Sequence, residues 1–271
     1  KTFNNEFVYK PSPHLLSSII KYQKKKYKIE DFELETVWNS QIKPKDFEKL
    51  NNFFWFFSLD LKSSKETTQS VIKNWVKDNG RYKKNSWEFD LTSKRIIAWL
   101  SNHQLTYQDG DKEYRSMFDH MIQKQTNHLL NEIKNSKEVE NKMIGCAAII
   151  LTGLAYKNEK QYLDNGLNLL KNIIKSSSEF ENKLIGCSAI ILTGLAYKNE
   201  KNYVESGLSI LKNIIKSSID NQGFTKSRNI KQLVFYLKYF IIIREWFKES
   251  QNVIPEYINE AIFYLGSSYA F

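Results

Sequence analysis

One helix-pair sequence, written twice in tandem, constrains this chain more than any other feature. ENKMIGCAAIILTGLAYKNEKQYLDNGLNLLKNIIKSS occupies residues 140–177, and ENKLIGCSAIILTGLAYKNEKNYVESGLSILKNIIKSS occupies residues 181–218. The 41-residue offset falls in the roughly 40–47-residue range of repeats built from two or three helices. About 30 of the 38 aligned positions are identical, which points to a recent or engineered duplication. A single helix pair cannot cover its own apolar faces, so the copies must stack on neighbouring helices.

Each copy holds two helices of different character. From Met143 to Leu154 the chain is apolar almost all round, through Ile144, Cys146, Ala147, Ile149, Ile150 and Leu151. A helix apolar on every side has to be buried on every side. The helix after Asn158 is amphipathic: Tyr162, Leu163, Leu167, Leu170, Ile173 and Ile174 form one stripe, and Lys160, Asp164, Asn168, Lys171 and Lys175 face away. Asn158 with Gln161 fits a helix start, and Ser176–Ser178 a helix end. One inner and one outer helix per copy describes a two-layered α/α array, open or closed into a ring.

The rest of the chain agrees with an all-α fold. Only 10 Gly and 4 Pro in 271 residues leave little material for many tight β-turns. Helical pattern begins after Pro44, with Phe47, Leu50, Phe53, Phe54, Phe56 and Phe57. It continues with Val71, Ile72 and Trp75 on one face of a helix that stops at Gly80. Thr92 or Ser93 is expected to cap a helix carrying Arg95 on its first turn and then Ile96, Ile97, Trp99 and Leu100. A long helix is expected over 113–133, the polar loop IDNQGFTKSRN spans 219–229, and two helices close the chain at 230–249 and 255–265. Residues 1–40 read as an extended or mixed segment, FVYKPSP followed by a short hairpin, packed on a helical body over 41–271.

Several chemistries are excluded or unsupported. No P-loop, dinucleotide fingerprint, HExxH or nucleophile elbow occurs, so no cofactor is expected. The four histidines (His14, His103, His120, His128) are scattered without a completing carboxylate, and no metal site is expected. Cys146 and Cys187 fall at equivalent repeat positions. Stacked helices lie roughly 8–10 Å apart, beyond the roughly 7 Å that a disulfide spans, so both read as buried free thiols. No run of apolar residues is long enough to span a membrane and no signal sequence is visible, which leaves cytoplasm and periplasm both open. The formal net charge of +10, from 40 Lys+Arg against 30 Asp+Glu, suits a polyanionic partner or a solvated lysine-rich surface.

The order of segments resembles a family. VW at 37–38, FFWFFSLDL, VIKNWVKDNG, SWEFDLTSKRIIAWL, MIQKQTNHLLNEI, NKMIGCAAIILTGLA and DNQGFTKSRN together are similar to the N-terminal helical domain of heparinase II/III-like polysaccharide lyases, over about residues 37–265. The resemblance implies an incomplete α/α toroid followed by a β-sandwich, and β-elimination on uronic-acid-containing polysaccharide in the groove between them. The chain stops at Phe271 before a sandwich begins, so a helical domain alone is expected, with a β-sandwich as a missing partner. The family's carboxylate-neutralising asparagine matches Asn141 and, in the second copy, Asn182; an asparagine there also suits helix capping. The family's Tyr-His proton-transfer pair is replaced by Lys231 and Gln232.

Two expectations follow. The first is a lyase-like domain that binds acidic polysaccharide without competence to cleave it alone. Its contacts would be Arg95 and Trp99 for charge and stacking, Asn141 or Asn182 for the carboxylate, and Arg228 and Asn229 as loop donors. The rival is a helical-repeat scaffold binding protein or nucleic acid along a concave face, with Lys157 and Lys198 recurring one copy apart. Nucleic acid is the less expected of these partners.

Overall fold

The computed structural model describes residues 44–59, 64–156, 159–196 and 201–270. The segment 1–40, Lys157, Asn158 and Lys198 lie outside these, and with them the expected N-terminal hairpin, the Asn158 helix start and the recurring lysines. The described residues form helices and connections, with isolated bridge positions such as the pair Ile219 and Thr225. The fold is all-α. The described chain divides into two compact units, one running to Leu169 and the other from Leu170.

The first unit begins with α1 (Pro44–Asn51) and a 3-10 turn, Phe54–Ser58. Then come α2 (Lys65–Asn79), α3 (Phe89–Ser101), the short α4 (His103–Thr106), α5 (Lys112–Glu132) and α6 (Val139–Ala155). Ser64 caps α2 by accepting from the Thr67 amide, and Asp111 caps α5 by accepting from the Tyr114 amide at 2.7 Å. The core is aromatic. Trp99 meets Phe53 at 5.3 Å and Trp75 at 5.6 Å, both edge-on, with Phe118 at 5.6 Å.

Thr92 and Ser93 do not cap α3. The helix starts three residues earlier, because Phe89 and Leu91 extend its apolar face backward, and Glu88 at the cap position makes no side-chain capping bond. Thr92 and Ser93 are buried inside the helix, where the Ser93 hydroxyl donates to the Phe89 carbonyl at 2.7 Å. Arg95 consequently sits in the second turn.

The pair α6 and α7 (Lys160–Ser176) has the expected inner and outer character. On α7, Tyr162, Leu163, Leu167, Leu170 and Ile174 are at most 4% exposed, while Asp164, Asn168 and Lys175 are exposed. Asn165, Gly166, Asn168 and Asn172 are poor helix formers, so packing of the stripe, at about 1.5–3 kcal/mol for each large apolar side chain, holds this helix rather than propensity. Gly153 lets α6 and α7 touch: a Cβ there would collide with the Leu163 backbone nitrogen.

The second unit contains the last residues of α7, then α8 (Phe180–Ala196), α9 (Lys201–Ser218), α10 (Ile230–Glu249) and α11 (Glu256–Ala270). α8 is its inner helix, packed on α9 and α10, and α10 packs on α11. Six positions are buried in both α6 and α8: Met143/Leu184, Gly145/Gly186, Cys146/Cys187, Ile149/Ile190, Ile150/Ile191 and Gly153/Gly194. The copies differ at their flanks. Thr152 and Thr193 each donate to their own helix, at Ala148 and Ala189, but Thr152 is buried and also meets Thr126 of α5 at 3.0 Å, whereas Thr193 is half-buried. Both cysteines are free and buried, and desolvation pushes each thiol up to about 12.

Candidate functional site

The six residues singled out by sequence separate into three groups. Arg95 and Trp99 are wholly buried in the first unit, each 0% exposed, and present no surface to a solute. The Arg95 guanidinium donates to Gln125 Oε1 (2.7 Å), the Asn51 carbonyl (2.8 Å) and Thr92 Oγ1 (3.2 Å), and lies 4.0 Å above the Trp75 ring. Neither residue is a ligand contact in this structure. A planar cation with three hydrogen bonds and an aromatic face is satisfied inside the fold.

Asn141 is the third residue of α6, half-buried, in the first unit. It does not cap the helix, whose cap position is Glu138. Asn182 is the third residue of α8 in the second unit, and its side-chain amide donates to Glu179 Oε2 at 2.8 Å. Arg228 and Asn229 share that unit. Asn182 thus shares a compact unit with the loop residues, and Asn141 belongs to the other unit.

The loop between α9 and α10 is firmly built. The Asp220 amide donates to the Phe224 carbonyl (2.9 Å), the Lys226 amide to Ser218 (2.8 Å) and the Arg228 amide to Thr225 (2.8 Å). Gly223 takes φ +83°, and a Cβ there would press on Tyr264 of α11. Ser268 of α11 donates to the Gln222 carbonyl at 3.2 Å. Arg228 has φ +55°, a left-handed conformation uncommon outside glycine. Its guanidinium pairs with Asp220 at 2.8 Å and lies over the Phe224 ring at 5.3 Å, while 61% of the side chain stays in solvent. Partial desolvation would raise the Asp220 carboxyl. The Phe224 and Gln222 amides and Arg228 outweigh it and hold the group below its ordinary value. Asn229 caps α10 by accepting from the Lys231 amide at 3.0 Å.

Gln232 joins this loop to the start of α8. Its Nε2 donates to Glu181 Oε1 at 2.7 Å, and its Oε1 accepts from Ser227 Oγ at 2.6 Å. One turn further along α10, Tyr236 is fully buried. Its hydroxyl has no well-formed hydrogen bond, with Ser218 and the Glu181 carboxylate as polar neighbours, and burial pushes it up to about 12. Glu181, Ser227 and Tyr236 did not emerge from the sequence reading. The available signal was spacing: Glu181 precedes Asn182, and Tyr236 follows Gln232 by four on one helix face.

The donors of this region are engaged within the chain: the Asn182 amide on Glu179, the Gln232 amide on Glu181, the Ser227 hydroxyl on Gln232 and the Arg228 guanidinium on Asp220. Among the described residues no group of three or more His, Cys, Asp and Glu could hold a metal ion, and no helix is long and apolar enough to cross a membrane.

No family model and no curated protein matches the chain. Among solved structures, a mutant of heparan sulfate lyase HepC from Pedobacter heparinus is similar at 12% sequence identity, with a TM-score of 0.48. The similarity covers 92% of this chain and 47% of that one, so the chain spans about half the length of the structure it matches.

Proposed function

We propose that the chain is the helical domain of a heparinase II/III-like polysaccharide lyase, and that its second unit binds uronic-acid-containing polysaccharide without cleaving it unaided. The observation that carries this reading is the Gln232–Glu181 hydrogen bond at 2.7 Å. Together with the Ser227–Gln232 bond it links the helix start bearing Asn182 to the loop bearing Arg228 and Asn229, which supports a shared binding surface. Arg228 supplies a forked donor for a uronate carboxylate. The Asn182 amide supplies a second donor once it leaves Glu179, whose carboxylate is solvent-exposed.

Elimination demands more. The α-proton of a uronate comes off only when the carboxylate charge is neutralised and a base with a pKa near the working pH reaches the proton. Lys231 and Gln232 stand where the family has its Tyr-His pair, and Tyr236 keeps its proton to about 12. Retention on immobilised polygalacturonate at low salt, with no ultraviolet-absorbing unsaturated product after long incubation, is the expected result. Failure to be retained would reject binding, and accumulation of unsaturated product would reject the absence of catalysis. A helical-repeat scaffold that binds protein is the second reading. It is favoured by exposed Ile230, Val234 and Ile241 (56%, 43% and 36%) on one face of α10.

A further inference from the structure

The first unit carries a surface built on residues that the function proposed above does not use. Gly80 ends α2, and the next five residues, Arg81, Tyr82, Lys83, Lys84 and Asn85, are exposed in succession. The loop is fixed at both ends. The Gly80 amide donates to the Val76 carbonyl (2.7 Å), the Trp87 amide to Lys83 (2.9 Å), the Trp87 indole to the Asn79 carbonyl (2.7 Å) and Lys124 Nζ to the Gly80 carbonyl (2.8 Å). His128 Nε2 meets the Trp87 carbonyl at 2.7 Å.

Two features of this loop face solvent. The Tyr82 ring is 63% exposed, yet it is backed by two buried or half-buried rings, His128 at 5.6 Å and Trp87 at 6.2 Å. And Arg81, Lys83 and Lys84, all exposed, form no ion pair among the described residues, while Lys124 beside them is held at the Gly80 carbonyl and over the Trp87 ring at 5.6 Å. The nearest carboxylates along the chain, Asp78 and Glu88, also form no ion pair among the described residues. Like charges crowded on a short loop repel one another, and the cost is offset only when an anion arrives.

We propose that the 80–87 loop, with Lys124, is a secondary binding surface for an anionic polysaccharide: Tyr82 receives the C–H face of a sugar ring, and Arg81, Lys83 and Lys84 receive its carboxylate or sulfate groups. A held loop loses little conformational entropy on binding. The fork of Arg81 suits planar oxyanions, and the lysines act as point charges. A single-stranded nucleic acid is disfavoured, because such sites stack successive bases on several aromatic rings, and Trp87 is only 2% exposed. The identity of the polymer rests on the function proposed above; the location of the surface does not.

The test is the affinity of the intact chain for polygalacturonate and for heparin, which separate carboxylate from sulfate, with oligothymidylate as the competing polyanion. The variants are Arg81→Ser/Lys83→Ser/Lys84→Ser, Tyr82→Ala, and a control of equal charge loss, Lys175→Ser/Lys212→Ser/Lys216→Ser, taken from exposed helix positions. The loop triple variant should bind one or both polysaccharides at least about tenfold more weakly at moderate salt. Tyr82→Ala should weaken binding several-fold, the control should change it less than about twofold, and all should keep the native melting temperature. Equal losses in the loop and control variants would overturn the proposal, as would a loss confined to oligothymidylate. Either result leaves the function of the second unit standing if Asn182→Ala and Arg228→Ala still weaken polygalacturonate binding. An unmodified chain that binds neither polysaccharide would sink both.

Discussion

Arg95 carries a charge into a region where no carboxylate pairs with it among the described residues. Desolvation pushes the guanidinium down to about 9, so it stays protonated at neutral pH, held by Gln125, Asn51, Thr92 and the Trp75 face. Arg95→Ala should lower stability by more than about 3 kcal/mol, because it opens a cavity and strands buried acceptors. Arg95→Lys should cost about 2 kcal/mol, since an ammonium cannot reproduce the fork or the stack. Urea denaturation midpoints check both. Asp119 is a half-buried carboxyl, accepting from Tyr156 (2.8 Å) and Tyr107 (3.2 Å). Burial raises its pKa, against the lowering effect of the two phenols and Arg115. A raised carboxyl favours the protonated form in the fold. Its contribution is fully present below the ordinary carboxylate value and is lost as pH rises through the raised folded value. Asp119→Asn should therefore remove part of the stability loss seen on going from acid to neutral pH, while keeping one phenol acceptor. Identical stability–pH profiles for the two proteins would refute this.

At the scale of elements, the tandem helices were the most legible part of the sequence. Their periods are unambiguous: apolar all round for α6 and α8, one stripe for α7. The misreadings have physical causes. Thr92 and Ser93 are good capping residues, but the apolar face of α3 extends back to Phe89 and outweighs a local capping preference. Arg95 beside Trp99 reads alike in a cleft and in a core. What separates the two is Gln125 and Asn51, 30 and 44 residues distant, which no local pattern shows. The role of Gln232 was likewise hidden, because its partner Glu181 lies 51 residues away. Glycines give the sharpest test of the packing. Gly153→Ala should destabilise by about 2 kcal/mol or more, since the added methyl meets Leu163 backbone. Gly266→Ala, in α11 with nothing within 4 Å of the added atom, should stabilise by about 0.5–1 kcal/mol. Melting temperatures that move in the same direction for both would contradict the placement of these helices.

For the whole molecule, the repeated segment bears on the function proposed above. It supplies two equivalent asparagines, Asn141 and Asn182, and the chain places them in different compact units, only the second of which contains Arg228 and Asn229. The net charge of +10 gives a general attraction for polyanions that falls with salt, so retention alone does not locate a site. Position does. Calorimetric titration of a uronate oligosaccharide into the native chain and into Asn182→Ala, Arg228→Ala and Asn141→Ala discriminates most directly. Saturable binding is predicted, weakened about tenfold by the first two substitutions and unchanged by the third. No binding by the native chain, or equal weakening by Asn141→Ala, would contradict a carboxylate site built on the second copy.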